Sequence, residues 1–147
     1  MPVNTALSPS FEPGQGFYGG RRFLKASGIA LTKGQLLSVN AATTPDSLIV
    51  APTTAVRPFY YCLETAAIGT TTVSVTQTGV VQLRADGAIE PGRIVMRSGT
   101  TAGEVVTYDS VDPETVVGTY IGKPGQSAGD QTAAADGDWI QVRLGVA

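Results

Sequence analysis

The sequence predicts an all-β fold, in which a small β-barrel or β-sandwich body follows an extended N-terminal arm. Apolar and polar residues alternate in several short runs, as Val81 and Leu83 do with Gln82 and Arg84, and this alternation is typical of half-buried strands. Turn signals recur roughly every ten residues, the spacing of all-β barrels and sandwiches. No segment sustains the helical period of about 3.6 residues.

The composition agrees with one β-rich domain and an appended segment. The chain has 147 residues, of which 42% are hydrophobic and 15% charged. Since an average soluble domain has roughly 25% charged residues, Thr, Val, Ala and Gly take their place and favour strands joined by many turns. We expect an extended arm over residues 1–20 and a β-rich domain over 21–147.

The alternating runs place the predicted strands in order along the chain, with no convincing internal repeat. The predicted strands cover residues 22–25, 35–39, 48–50, 59–63, 73–76, 81–84, 94–96, 105–108, 116–121 and 139–144.

Turn chemistry separates the strands of the central stretch, 73–97. Residues 77–79 are expected to break or bulge the chain between two runs, and Asp86-Gly87 is typical of a tight turn. Pro91-Gly92 suits positions i+1 and i+2 of a type II turn, because Gly accepts the positive φ required there. These features predict a scaffold and carry no chemistry of their own.

The arm combines helix-breaking prolines with apolar residues at intervals. Such anchors on an extended segment favour an arm that orders on a partner, and disorder in the free protein is the alternative. Arg21 and Arg22 lie where the arm meets the body, either as exposed charges or as contacts to an acidic patch of a partner. The arm residues predicted to bind are Val3, Leu7, Phe11, Phe17 and Tyr18.

The residue types argue against catalysis. The chain has no His, which removes the usual general base and the common metal ligand. Cys62 lies in an apolar run without a basic neighbour, so we expect a buried structural thiol. Asp136 and Asp138, with Asp130 nearby, lack the distal Glu of a calcium loop and are expected to form a solvated turn. We therefore predict no catalytic residue, no metal site, no cofactor and no small-molecule substrate.

Charge and hydropathy also limit the partners. The formal net charge is −2 and no basic run exceeds Arg21-Arg22, so nucleic-acid binding has no electrostatic support. No apolar run approaches the roughly 20 residues of a membrane span. The single Cys and the lack of a secretory leader pattern predict folding in a cytoplasm.

Three aromatic residues are candidates for a subunit contact: Tyr60, Tyr61 and Trp139. Alternate residues of the run 59–61 are expected to be core, and a remaining Tyr is a candidate for an interface, where aromatic residues are enriched. Trp139 has the same two interpretations.

Two stretches carry a resemblance to a known family. Gly79-Val80 precedes the run 85–92, ADGAIEPG, which leads into Ile94-Val95, and the chain closes on 137–144, GDWIQVRL. This pattern resembles the small β-rich capsid decoration, or cement, proteins of tailed bacteriophages and their prophage relatives. Those proteins place an A-x-G-x-I-x-x-G-x-x-V turn in mid-chain and end on a strand similar to G-D-x-I-x-V-R-L.

The resemblance implies a β-barrel or β-sandwich body that forms a homotrimer on the outer surface of a phage head. It also implies an N-terminal arm that lies along the major capsid protein, and a location in the virion. This chain is longer than the family pattern, with a substantial insert across 40–60.

Two other functions remain open at this point. A carbohydrate- or receptor-binding β module of a phage tail would present exposed Trp and Tyr on a groove. A carboxylate-based hydrolase would need a paired acid site, which the scattered Glu residues do not indicate.

Overall fold

The computed structural model describes residues 21–40, 47–126 and 131–145 and confirms the all-β fold. One turn of 3-10 helix covers Pro113–Thr115. The strands are β1 (Arg21–Leu24), β2 (Leu36–Asn40), β3 (Ser47–Val50), β4 (Phe59–Cys62), β5 (Thr72–Thr76), β6 (Val80–Arg84), β7 (Ile94–Arg97), β8 (Val105–Thr107), β9 (Val116–Gly122) and β10 (Trp139–Leu144).

The strands form two five-stranded antiparallel sheets that share a core, as in a β-sandwich. The first sheet has the order β1-β5-β4-β2-β3 and the second the order β6-β10-β9-β7-β8. Each sheet curls until its two edges meet at an isolated bridge. Lys25 pairs with Leu48 in the first sheet, and Ala85 pairs with Val105 in the second. Neither sheet closes into a barrel, so of the two predicted architectures the sandwich is correct.

The two sheets repeat one topology, and the expectation of no internal repeat is wrong. Replacing β1 to β5 by β6 to β10, strand for strand, converts the first sheet order into the second. We call β1 to β5, residues 21–76, unit one, and β6 to β10, residues 80–144, unit two. Residues 77–79, the predicted break, connect the units.

Backbone hydrogen bonds recur at matching positions in the two units. Gly34 N–H donates to the Cys62 carbonyl at 3.0 Å, and Gly92 N–H donates to the Tyr120 carbonyl at 2.9 Å. The isolated antiparallel bridges match as well, Leu31 with Ala66 in unit one and Ile89 with Ala134 in unit two. The repeat is therefore a repeat of backbone positions.

Unit one has a core of its own inside the curl of its sheet. Its buried members are Leu31, Leu37, Leu48, Tyr60, Cys62, Ala66, Val73 and Val75. The second core fills unit two and extends onto the outer face of unit one, where Leu36, Phe59 and Tyr61 take part. The two units therefore fold against each other.

Strand β4 lies between the two cores, and all four of its residues are buried. Because side chains alternate across a strand, Phe59 and Tyr61 point into the shared core while Tyr60 and Cys62 point into the core of unit one. The aromatic run 59–61 thus lies in the strand that joins the two cores.

The segment 40–60, expected to be an insert, supplies integral strands. Ser47–Val50 forms the edge strand β3, which pairs with β2. Phe59, at the start of β4, pairs with Ser38 of β2. The segment is part of the repeated topology, with β3 and β4 matching β8 and β9 of unit two.

Gly118 provides a test of the packing between β9 and β10. A Cβ atom at Gly118 would lie 2.0 Å from the Arg143 carbonyl oxygen, so Gly118→Ala requires the backbone of two paired strands to separate. We expect the substitution to lower the free energy of unfolding by about 1–3 kcal/mol, measured by urea denaturation. Gly28→Ala is the control, because a Cβ atom there meets nothing within 4 Å. Equal stability of the two variants would contradict the packing described.

Candidate functional site

The arm residues predicted to bind, Val3, Leu7, Phe11, Phe17 and Tyr18, lie outside the described residues. The described chain begins with Arg21, the first residue of the edge strand β1. The surface around Arg21 is therefore where residues 1–20 join the body.

Arg21 lies on this surface with its charge unpaired by any acidic side chain of the described residues. Its guanidinium Nη2 donates to Gln77 Oε1 at 2.7 Å, and its Cζ lies 5.4 Å from the centre of the Phe23 ring. Such a cation over an aromatic face is held in place while its charge still faces solvent. Arg21 thus keeps the charge that a contact to an acidic partner would use.

A cleft of 430 Å³ opens between the units beside Arg21. Gln77, the acceptor for Arg21, lines it, so the start of β1 lies beside the cleft. Its walls come from both units and are mainly apolar. The other lining residues are Arg57, Pro58, Phe59, Val116, Val117, Leu144 and Gly145.

Arg22 is bound within the protein itself. Its Nη1 lies 2.8 Å from both Glu64 Oε1 and Ser74 Oγ, and its Nη2 donates to Thr72 Oγ1 at 2.7 Å. These contacts fasten β1 to β5 and neutralise the charge of Arg22. The contact of Arg22 with an acidic partner stays a prediction. The partner would have to compete with Glu64 for the guanidinium of Arg22.

The pKa of Glu64 reflects this network. Desolvation alone would raise the pKa, but the hydrogen bond from the Ser74 N–H at 3.0 Å and the contacts with Arg22 lower it below its usual value of 4.5. A folded-state pKa below the unfolded one gives stability that is fully present above the unfolded pKa. This stability is lost as the pH falls through the folded pKa.

Glu64→Gln is therefore expected to remove part of the acid sensitivity of the fold. Because both side chains of the ion pair are exposed to solvent, Glu64→Gln should lower the free energy of unfolding at pH 7 by less than about 1 kcal/mol. Urea unfolding at pH 7 and pH 3 measures it, with the exposed Glu114→Gln as the matched control. The difference between wild type and Glu64→Gln should shrink at pH 3, and an unchanged difference would contradict this role.

Tyr60 and Tyr61, predicted as candidates for a subunit contact, are both buried, with 8% and 7% of their surface exposed. They point to opposite sides of β4, one into each core. This burial leaves them little surface for another subunit. The trimer contact itself stays a prediction.

Trp139, the third candidate, is 43% exposed and lies where the units meet. A Cβ atom on Gly34 of unit one would lie 3.0 Å from the Trp139 ring, and Arg84 Cζ lies 5.8 Å from the ring centre. It is the one aromatic side chain among the large exposed hydrophobic residues in the described part of the chain. An aromatic cluster around it, as a sugar-binding groove would need, is absent from those residues.

The acidic side chains organise turns. Asp86 Oδ2 accepts hydrogen bonds from Ser98 Oγ and, at 2.6 Å, from Thr100 Oγ1, and these bonds lower the pKa of Asp86. Asp138 accepts from Ala135 N–H at 2.9 Å and pairs with Lys123. Within the described ranges no group of three or more His, Cys, Asp or Glu residues is placed to hold a metal ion.

Cys62 has the environment of a structural thiol. It is fully buried, and desolvation raises its pKa to about 11. The thiolate is the reactive form, so a thiol in this position resists modification while the protein is folded.

We expect Cys62 to react with a maleimide or an aromatic disulfide only when unit one unfolds. At pH 8 a pKa of about 11 leaves about one thousandth of the thiol ionised, and burial blocks access. The rate of modification in native buffer and in urea measures this. Rapid modification of the native protein would contradict the placement of Cys62 in the core.

The chain was compared with known proteins. No family model and no curated protein matches it. The fold is similar to that of the N base of the head fibre gp8.5 in bacteriophage phi29, with a TM-score of 0.60 and 17% sequence identity. The likeness covers 86% of this chain and 94% of the phage structure, so it includes both units.

No helix in the described part of the chain is long and apolar enough to span a membrane.

Two contacts of the surface around Arg21 and Arg22 were not predicted from the sequence. Gln77 and Glu64 lie 56 and 42 positions from the arginines that they contact, and only the fold brings them together. One signal of the repeat was present in the sequence: the pattern Ala-Ala-x-Gly occurs at 66–69 and again at 134–137.

Proposed function

We propose that the chain is a structural virion protein, which decorates the outer surface of a phage head as a homotrimer and stabilises contacts between major capsid protein subunits. The observation that carries the proposal is the two-unit fold, which is similar over 86% of the chain to the N base of a bacteriophage head fibre. The turn and strand motifs of residues 85–95 and 137–144 support it independently.

The junction of arm and body supports a role for residues 1–20 in binding the major capsid protein. Arg21, at the junction, presents an unpaired charge among the described residues and lies beside the apolar cleft between the units. An arm that adds a strand to a capsid sheet gains backbone hydrogen bonds with little dependence on its side chains. A trimer presents three arms at high effective concentration, so weak single contacts give strong attachment.

The proposal requires no chemistry: no catalysis, cofactor, small-molecule substrate, nucleic acid or membrane. The side chains that most often carry chemistry have structural roles here, with Cys62 in a core and Asp86 binding a turn. The alternative of a carbohydrate- or receptor-binding module is not favoured, because Trp139 packs against Gly34 at the joint between the units and no second exposed aromatic residue accompanies it among the described residues.

Co-sedimentation with expanded capsids that lack decoration tests the proposal. The full chain should sediment with the capsids to saturation, and a chain without residues 1–20 should bind at least about tenfold more weakly, a loss of about 1.4 kcal/mol. Arg21→Ala should weaken binding by less than the truncation, since one charge at the rim of a contact contributes little.

Lys33→Ala is the matched control, because Lys33 is an exposed cation on a turn of unit one that neither lines the cleft nor binds Arg21. Equal binding of the full and truncated chains would overturn the role of the arm. No binding of the full chain to intact, undecorated capsids would overturn the proposed function.

A further inference from the structure

Unit two carries an open groove of 260 Å³ at the start of β7 and the end of β8. Ile94, in its wall, is 42% exposed, and the nearby Val111 is 79% exposed. Exposed apolar residues beside a concave surface are typical of interaction sites. The groove is lined by Gly92, Arg93, Ile94, Thr107, Tyr108 and Ser110.

The internal repeat shows what this surface does in unit one. Pairing registers and backbone hydrogen bonds match the two units position by position, so that Leu36 corresponds to Ile94 and Ala51 to Tyr108. Ala51 N–H donates to the Leu36 carbonyl at 2.9 Å, and Tyr108 N–H donates to the Ile94 carbonyl at 2.8 Å. Five of the six groove residues therefore have counterparts in unit one: Gly34, Gln35, Leu36, Val50 and Ala51.

In unit one this same surface is the joint with unit two. Gly103 N–H donates to the Ala51 carbonyl at 3.0 Å, and Gly103 accepts from Leu36 N–H at 3.2 Å. The Trp139 ring covers Gly34. As a result Leu36 is fully buried.

Within residues 21–40, 47–126 and 131–145, the corresponding surface of unit two is exposed. Ile94 is 42% exposed where Leu36 is 0% exposed. A Cβ atom on Gly92 meets nothing within 4 Å, whereas one on Gly34 meets Trp139 at 3.0 Å. In the described part of the chain, unit two thus exposes the face that corresponds to the bound face of unit one.

The joint uses different faces of the two units, so it lacks the two-fold symmetry that would cover both faces at once. A contact of this kind repeats head to tail and generates a ring when the rotation closes. We propose that the groove of unit two binds unit one of a second copy of this chain, in the manner in which unit one is bound by unit two within the chain.

The complementary surface on unit one follows from the same correspondence. Trp139 and Arg84, opposite each other on β10 and β6, cover the joint inside the chain. Their counterparts on β5 and β1 are Thr72 and Leu24, which are also opposite each other. Leu24 is 43% exposed, so the repeat brings an exposed Leu24 to an exposed Ile94.

This inference rests on the proposed homotrimer, in which three copies would alternate their units around one ring. Each contact between copies would then resemble the contact inside each copy. Such a ring also covers sheet edges that a single β domain leaves open to other chains.

Two variants test the groove and its complement. Ile94→Glu and Leu24→Glu each place a charge at one side of the proposed contact, and both should reduce the mass measured by light scattering from three chains to one. Ile68→Glu is the control, because Ile68 is 69% exposed and is neither a groove residue nor one of the complementary pair Leu24 and Thr72, and it should stay trimeric. Urea unfolding of each variant checks that the fold is kept.

Chemical cross-linking gives a readout that does not depend on weakening the assembly. Arg93→Cys and Thr72→Cys place thiols on opposite sides of the proposed contact, and the native Cys62 is buried. A short bismaleimide should join chains when the two variants are unfolded together and refolded as a mixture. It should not join chains of either variant alone.

The outcomes separate this inference from the proposed function. A trimer unchanged by Ile94→Glu and Leu24→Glu overturns the inference and leaves the proposed function standing. A wild-type monomer that still binds capsids overturns both the inference and the proposed homotrimer, and leaves only the decoration of the capsid. If the variants keep the trimer mass but lose capsid binding, the groove binds the capsid, and this result also overturns the inference. A trimer that Ile94→Glu dissociates but that never binds capsids supports the inference and overturns the proposed function.

Discussion

The structure depends on the burial of both faces of β4. Phe59 and Tyr61 enter the core shared with unit two, and Tyr60 and Cys62 enter the core of unit one. Fully burying such a side chain stabilises a fold by about 1.5–3 kcal/mol, so unit one without unit two would expose two large aromatic side chains and Leu36. The stability of unit one is therefore coupled to its contact with unit two. For the same reason, we expect the exposed face of unit two to gain stability when another unit covers it.

The joint between the two similar units is asymmetric and combines several kinds of contact. The two units are joined by the shared core, by backbone groups of Gly103, by the packed Trp139 ring and by Arg97, whose Nε donates to the Ala55 carbonyl at 2.8 Å. The ion pair of Arg22 with Glu64 lies elsewhere, at the edge of unit one beside the arm junction. In the proposed assembly, the arm junction at Arg21 and the complementary residue Leu24 both lie on β1 of unit one, whereas the groove lies on unit two.

The strands were predictable from the sequence because alternation is a local property, and Val81 to Arg84 shows it without any tertiary information. The repeat was not predicted, because equivalent backbone positions hold different side chains: Tyr60 matches Gly118, and Trp139 matches Thr72. Tyr61 was a reasonable surface candidate by residue type, but a strand buried on both faces has no free side for it. The pairing of Arg22 with Glu64 and the groove around Ile94 arise only when distant strands are brought together.

The most direct test of the proposed ring and of its attachment to capsids is a cryo-electron microscopy reconstruction of expanded, undecorated capsids incubated with the full chain. We expect density for three two-unit molecules around a local three-fold axis on the outer surface of the capsid. Unit two of each molecule should lie against unit one of the next, and Arg21 should face the capsid. Bare capsids at saturating protein concentration, or single molecules bound without neighbours, would contradict it.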